Sequence, residues 1–293
     1  MPASSKYIVP VFFLILFLGT MVLGPILYFG LAWVYPVPFH RAMDRALMIS
    51  AVAALVLFWS RIPLGKLWPW NSEAWKQLLL GYFIAAVSVQ AMIGLDLALA
   101  GFTRAPLSEH QVISRLLVAL VAALLVPPLE ETVFRGFLQR ELVASLGWRA
   151  GWIGAAAIFM LAHFVKIPTD LDQQPVHWWS GVTGLGAAFS PVAHGDFISG
   201  KGFNLLLIGL ILGGIFLRTD TLWLNAGLHS GWILAVLLFP DMTRPVTPPR
   251  FEGMGGDILS TPVTSLVLIL LGLWLWRFYR HPSIVPETGA NAS

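Results

Sequence analysis

Long apolar stretches, set apart by short polar ones, constrain this chain more than any other feature. A membrane span needs about 20 mostly apolar residues. Segments of this kind lie near 7–34, 46–59, 78–100, 112–127, 152–164, 203–217, 222–239 and 261–276. Lipid offers the backbone no hydrogen bonds, so such segments satisfy their own N–H and C=O groups as helices. The fold class read from this pattern is all-α: a multi-pass helical membrane protein with about eight transmembrane helices. Composition agrees, since only 11% of the 293 residues are charged and 57% are hydrophobic. That is too little charge to cover a soluble domain.

The formal net charge is +3. The basic residues lie between apolar runs, where they orient the chain against anionic lipid, so no nucleic-acid partner is read. Arg277 and Arg280 flank the last span and favour a cytoplasmic C-terminus, but the basic residues divide ten to eight between the two sides, which encodes orientation weakly. In a bacterial cell such a chain belongs in the plasma membrane. There is no cysteine, which excludes disulfides, a thiol nucleophile and thiolate metal ligands. The run after Lys6 is too long for a signal h-region and reads as a retained first span. Residues 166–201 read as a loop with an interfacial aromatic piece, His177-Trp178-Trp179. Three regions follow: 1–110 with no recognised motif, 111–240 with the unusual polar residues, and 241–293 with the last span and a polar tail.

Ionisable groups inside a bilayer are costly and mark functional sites by default. One group is Pro127-Pro128-Leu129-Glu130-Glu131-Thr132-Val133-Phe134-Arg135. The prolines are expected to interrupt one helix and open another. Glu130 and Glu131 would then sit at a helix N-terminus, where the dipole favours anions. Glu131 and Arg135, four apart, share a face and can pair. Glu130 is rotated by about 100° from Glu131, free to point elsewhere as a base. The plainer reading is a charged interfacial turn. The other two are His163, after a run of small residues from Gly151, and His229, between Gly227 and Gly231. Alone, each reads as readily as a packing or interfacial histidine. Together, two histidines and a glutamate fit a divalent metal site, such as zinc, with an acid–base partner. Asp96 reads as solvated near a span end.

Glu130-Glu131-xxx-Arg135, Phe159-xxx-His163 and a later His229 in a small-residue helix resemble the three signature segments of the CPBP intramembrane proteases. That group includes the CAAX prenyl endopeptidases and the bacterial abortive-infection proteins. The resemblance covers roughly residues 112–239. It implies that Glu130 activates water, that Glu131 and Arg135 support it, and that His163 and His229 bind a metal or stabilise the oxyanion. The last motif commonly continues to Asn or Asp four residues after the histidine, and here that residue is Ile233. Asn225, four residues before His229 on the same face, is the candidate replacement and a further candidate metal ligand, with Glu130. Asn204 is a weaker candidate.

H-E-x-x-H, G-x-S-G and G-x-G-D are all missing, which argues against site-2, rhomboid and aspartyl intramembrane proteases. The reading is an intramembrane endopeptidase acting on a peptide or protein near the membrane surface. Its rival is a non-enzymatic chaperone, scaffold or regulator on the same fold, which Ile233 favours. A transporter would be expected to show a repeat of the chain's halves, and none is seen.

Overall fold

The computed structural model describes residues 7–32, 34–99, 102–104, 109–246 and 257–278, so the tail after His281 and residues 247–256 lie outside the described residues. The described residues form twelve α-helices: α1 (Ile8–Ala32), α2 (Phe39–Leu57), α3 (Leu64–Leu67), α4 (Ser72–Ala98), α5 (Glu109–Glu131), α6 (Arg140–Leu146), α7 (Trp148–Ala162), α8 (Ser180–Ala188), α9 (Ser190–Ala193), α10 (Gly200–Thr219), α11 (Trp223–Met242) and α12 (Pro262–Phe278). Five segments are long and apolar enough to cross a membrane: Ile8–Ala32, Ser72–Ala98, Ile113–Leu146, Gly200–Thr219 and Trp223–Pro240. α7 and α12 are shorter apolar helices. α2 begins with His40, Arg41, Asp44 and Arg45, which make its first turns polar. The architecture is the multi-pass helical one read from the sequence.

The chain divides into two compact units, residues 1–62 with 160–197, and residues 63–159 with 198–293. In the first unit α1 and α2 pack through small residues, with Gly19 against Ser50 and Gly24 against Met43. Phe39, Met43, Ile167, Leu171, Leu185 and Ala188 form a buried core. The carboxylate of Asp172 accepts from the backbone N–H of His40 at 2.9 Å and lies 2.5 Å from its Nδ1. The segment read as a loop is more ordered than expected. It holds a 3₁₀ turn (Thr169–Gln173), α8 and α9. The glycines that suggested a loop are packing residues: a Cβ on Gly181 would overlap the carbonyl of Met21. Trp178 and Trp179 are exposed, as an interfacial aromatic pair would be.

In the second unit α4 and α11 cross at their glycines. A Cβ on Gly227 would come within 2.1 Å of Leu78 O, and one on Gly81 within 2.5 Å of Leu224 O, so only glycine permits this approach. Two short antiparallel strands, β1 (Phe102–Arg104) and β2 (Thr243–Pro245), pair after the ends of these helices. α7 packs on α10 through Ala156 and Gly209.

Two expectations are corrected here. Pro127 and Pro128 do not end the helix: α5 runs through both to Glu131. The acids therefore sit inside a helical rod and not at a dipole-favoured N-terminus. The rod responds just beyond them, where Thr132–Gln139 is π-helical and leads into α6. Prolines deprive the carbonyls one turn earlier of donors, and a membrane helix absorbs this by local π adjustment because water is not there to take over. Asp96 is not solvated either. It is fully buried, and its Oδ2 accepts from Thr261 Oγ1 at 3.3 Å.

Candidate active site

The site grows from the end of α5. Glu131 is fully buried. Its Oε1 accepts from Arg135 Nη1 at 3.2 Å and lies 2.8 Å from His229 Nδ1, and its Oε2 accepts from Asn225 Nδ2 at 3.2 Å. A carboxylate with an arginine on it only accepts, so the hydrogen of His229 is on Nδ1 and its Nε2 presents a lone pair. Burying this ion pair is costly, and the bonds from three side chains offset that cost.

Glu130 lies on the other side of the same imidazole. Its Oε2 is 3.7 Å from His229 Nε2, and its side chain is 27% exposed where that of Glu131 is 0%. Consecutive acids thus flank one ring: the buried one fixes Nδ1, and the half-open one faces Nε2. Sequence spacing suggested that Glu130 points elsewhere, and this relation was missed because Glu130 and His229 are about a hundred residues apart in the chain.

Aromatic rings close the rest. The guanidinium carbon of Arg135 sits 4.4 Å from the centre of the Phe159 ring, a cation–π distance. The edge of Phe159 also packs on His229, with ring centres 5.9 Å apart. The π-helical turn carries Arg135 and then Gln139, whose Nε2 donates to Gly213 O at 2.9 Å, tying the rod to α10. Asn225 Nδ2 also donates to Leu212 O at 2.7 Å. Among the described residues, Glu130 Oε2, Arg135 Nη2 and Asn225 Oδ1 are buried atoms without a hydrogen-bond partner.

His163 belongs to the first unit, in the turn that ends α7, where its N–H donates to Met160 O at 3.2 Å. Asn204 serves elsewhere. Its Nδ2 donates to Leu259 O and Thr261 O, and its Oδ1 accepts from Ser265. Asn225 touches Glu131 and not His229, so it holds the carboxylate and does not replace a group four residues after the histidine.

The model of the type II CAAX prenyl endopeptidase, Rce1-like, family matches residues 112–235. This region is a CPBP-type, Rce1-like one. The match takes in Glu130, Glu131, Arg135, His163, Asn225 and His229. The comparisons with curated proteins and with solved structures returned no match. The Rce1-like family is one of endopeptidases, and the chain that carries this region is an integral membrane protein.

Zinc sites use three or four protein ligands. Among the described residues no group of three or more His, Asp or Glu side chains is arranged to hold a metal. Within the second unit the Rce1-like site offers only His229 Nε2 and Glu130, because Nδ1 and Glu131 bind each other. These residues do not fit a resident metal, and no step below passes through one.

Sequence reasoning also passed over an aromatic cluster at the start of α11. Trp223 packs with Trp68 and Trp70 at ring distances of 5.0 and 5.4 Å, and Trp70 packs with Trp75 at 5.6 Å. Tryptophans of this kind mark the membrane–water interface. Four of them within 68–75 and at 223, beside Lys66 and Lys76, were the available signal.

Proposed function

We propose that this chain is an intramembrane endopeptidase in which Glu130 is the general base and His229 orients the attacking water. The observation that carries this reading is the imidazole held between two carboxylates, Glu131 on Nδ1 and Glu130 facing Nε2. A water seated against Glu130 Oε2 and His229 Nε2 directs one hydrogen to each and its lone pair to a substrate carbonyl. Glu130 takes one proton as the oxygen adds to the carbonyl carbon. It returns that proton to the amide nitrogen as the C–N bond breaks, giving an acid and an amine. Glu131, Arg135 and Asn225 set the tautomer and direction of the imidazole. The resemblance gives His163 an oxyanion role, which the same assay tests.

The substrate is a peptide or protein segment that enters the membrane. His229 lies six residues past Trp223 along α11, about 9 Å below the aromatic cluster at 1.5 Å per residue. The matching family's description makes a prenylated protein C-terminus the first substrate to try.

Purified Glu130→Gln is expected to fold as the parent does and to cleave about 10²–10⁴-fold more slowly, as loss of a general base requires. Full activity in that variant, or full complementation of a deletion strain, would replace the peptidase reading with the scaffold one that Ile233 favours.

A further inference from the structure

A second cavity, of about 250 Å³, opens in the second unit between α7, α10 and α12. Its wall is apolar, with Trp152, Ile211, Gly214, Leu268 and Gly272 among its residues, except at one end where Arg218 meets Trp276. The guanidinium carbon of Arg218 stands 3.6 Å from the centre of the Trp276 ring, and Trp276 stacks on Trp152 at 5.8 Å. Trp152 directs its one polar atom to Leu210 O, so it offers the cavity only ring surface. Ile269 and Leu273, which also line it, are 40% and 63% exposed. The slot is therefore open on a face that borders lipid.

Charge decides what suits it. Arg218 is in the last turn of α10, and Arg277 follows Trp276 in the last turn of α12. Two residues beyond Arg218, Asp220 pairs with both Lys66 and Arg140. Four cations thus share this end of the unit with that one acid. An apolar slot that ends in a cluster of cations fits a chain with an anionic head. We infer that this cavity binds one anionic glycerophospholipid, with an acyl chain along α10 and α12 and its phosphate at Arg218.

Occupancy would bear on the site already described. α10 presents Ile211, Gly214 and Arg218 to the cavity, while Leu212 O and Gly213 O receive Asn225 and Gln139. The lipid and the carboxylate cluster would thus hold the same helix. The inference does not rest on the peptidase reading, and its test reads no proteolysis.

The test uses the full chain in a mild detergent. Native mass spectrometry and thermal shift are followed on adding phosphatidylglycerol, phosphatidylcholine, glycerol 3-phosphate or sodium phosphate. One phosphatidylglycerol is expected to be retained, about fivefold more tightly than phosphatidylcholine, as one arginine–phosphate contact gives. Arg218→Gln should erase that preference, Arg218→Lys should keep it, and Leu273→Trp should block both lipids by filling the slot. Leu273→Trp leaves the charge cluster intact, so it still decides the matter if Arg218→Gln fails to fold. Equal retention of the two lipids would overturn the inference, as would unchanged binding in Leu273→Trp. A shift with sodium phosphate matching that with phosphatidylglycerol would also overturn it, because the acyl slot would then be idle.

Discussion

At the scale of single residues, the two neighbouring glutamates divide their labour by burial. Glu131 accepts from three side chains and is fully enclosed, whereas Glu130 keeps an edge toward the open side. Their variants should therefore fail in different ways. Glu131→Ala is expected to lose about 3–5 kcal/mol of stability, because Arg135 stays charged in a dry place without its partner. Thermal denaturation in detergent checks this, and Glu131→Ala melting like the parent would remove the structural role given to it. The pairing of Glu131 with Arg135 was legible because four residues on a helix return to one face. The link from Glu130 to His229 was not, because it depends on how α11 lies against α5, and spacing within either helix says nothing of that. Asp96 was misread for a similar reason. It lies close to a span end, and only the placement of Thr261 shows that the end is covered.

At the scale of elements, the apolar helices could be read directly, since a bilayer leaves the backbone few alternatives. What sequence rules misjudged was the proline pair. They describe helices in water, where a freed carbonyl finds a solvent partner and the helix stops. Here the rod continues and widens, and Thr132 Oγ1 donates back to Pro128 O at 2.7 Å. Pro127→Ala with Pro128→Ala should restore the missing donors. The double variant is expected to be at least as stable as the parent yet about 10²-fold slower, because relaxing the π turn would shift Arg135 and Glu131 by about an ångström. Melting and cleavage rates measured together test both halves. In the first unit, the tie between α2 and the Thr169–Gln173 turn should respond to acid. Burial pushes the Asp172 carboxyl up, but the N–H of His40, its imidazole and the N–H of Phe39 outweigh this and hold it below its ordinary value of 3.8. A depressed carboxylate stabilises the fold above its unfolded pKa and loses that contribution as pH falls through the lower folded value. Hydrogen exchange across 166–175 should stay flat from neutral pH down to about 4 and rise below it, whereas Asp172→Asn should exchange fast at every pH.

At the scale of the whole molecule, helices crossing at glycines carry the scaffold, and a single polar knot is set into one of its two units. Gly227 shows how little slack there is. Gly227→Leu would drive a side chain into the carbonyl of Leu78, and overpacking of this kind costs about 1–3 kcal/mol or more. Loss of a monodisperse peak on size exclusion would reveal it, and a normal peak would show that α4 and α11 cross more loosely than described. The π-helical stretch from Thr132 to Gln139 has a consequence at the level of the gene. Bonding from each residue to the fifth one on accommodates one residue more than an α-helix would hold, so the stretch behaves as an insertion kept in frame. Deleting a single codon inside it would let the ladder close as ordinary α-helix and would turn everything downstream by about 100°. Gln139 and Arg140 would swing away from Gly213 and Asp220 while the hydropathy profile of the chain hardly changed. Reading frame, and not apolar content, is what this part of the chain cannot lose.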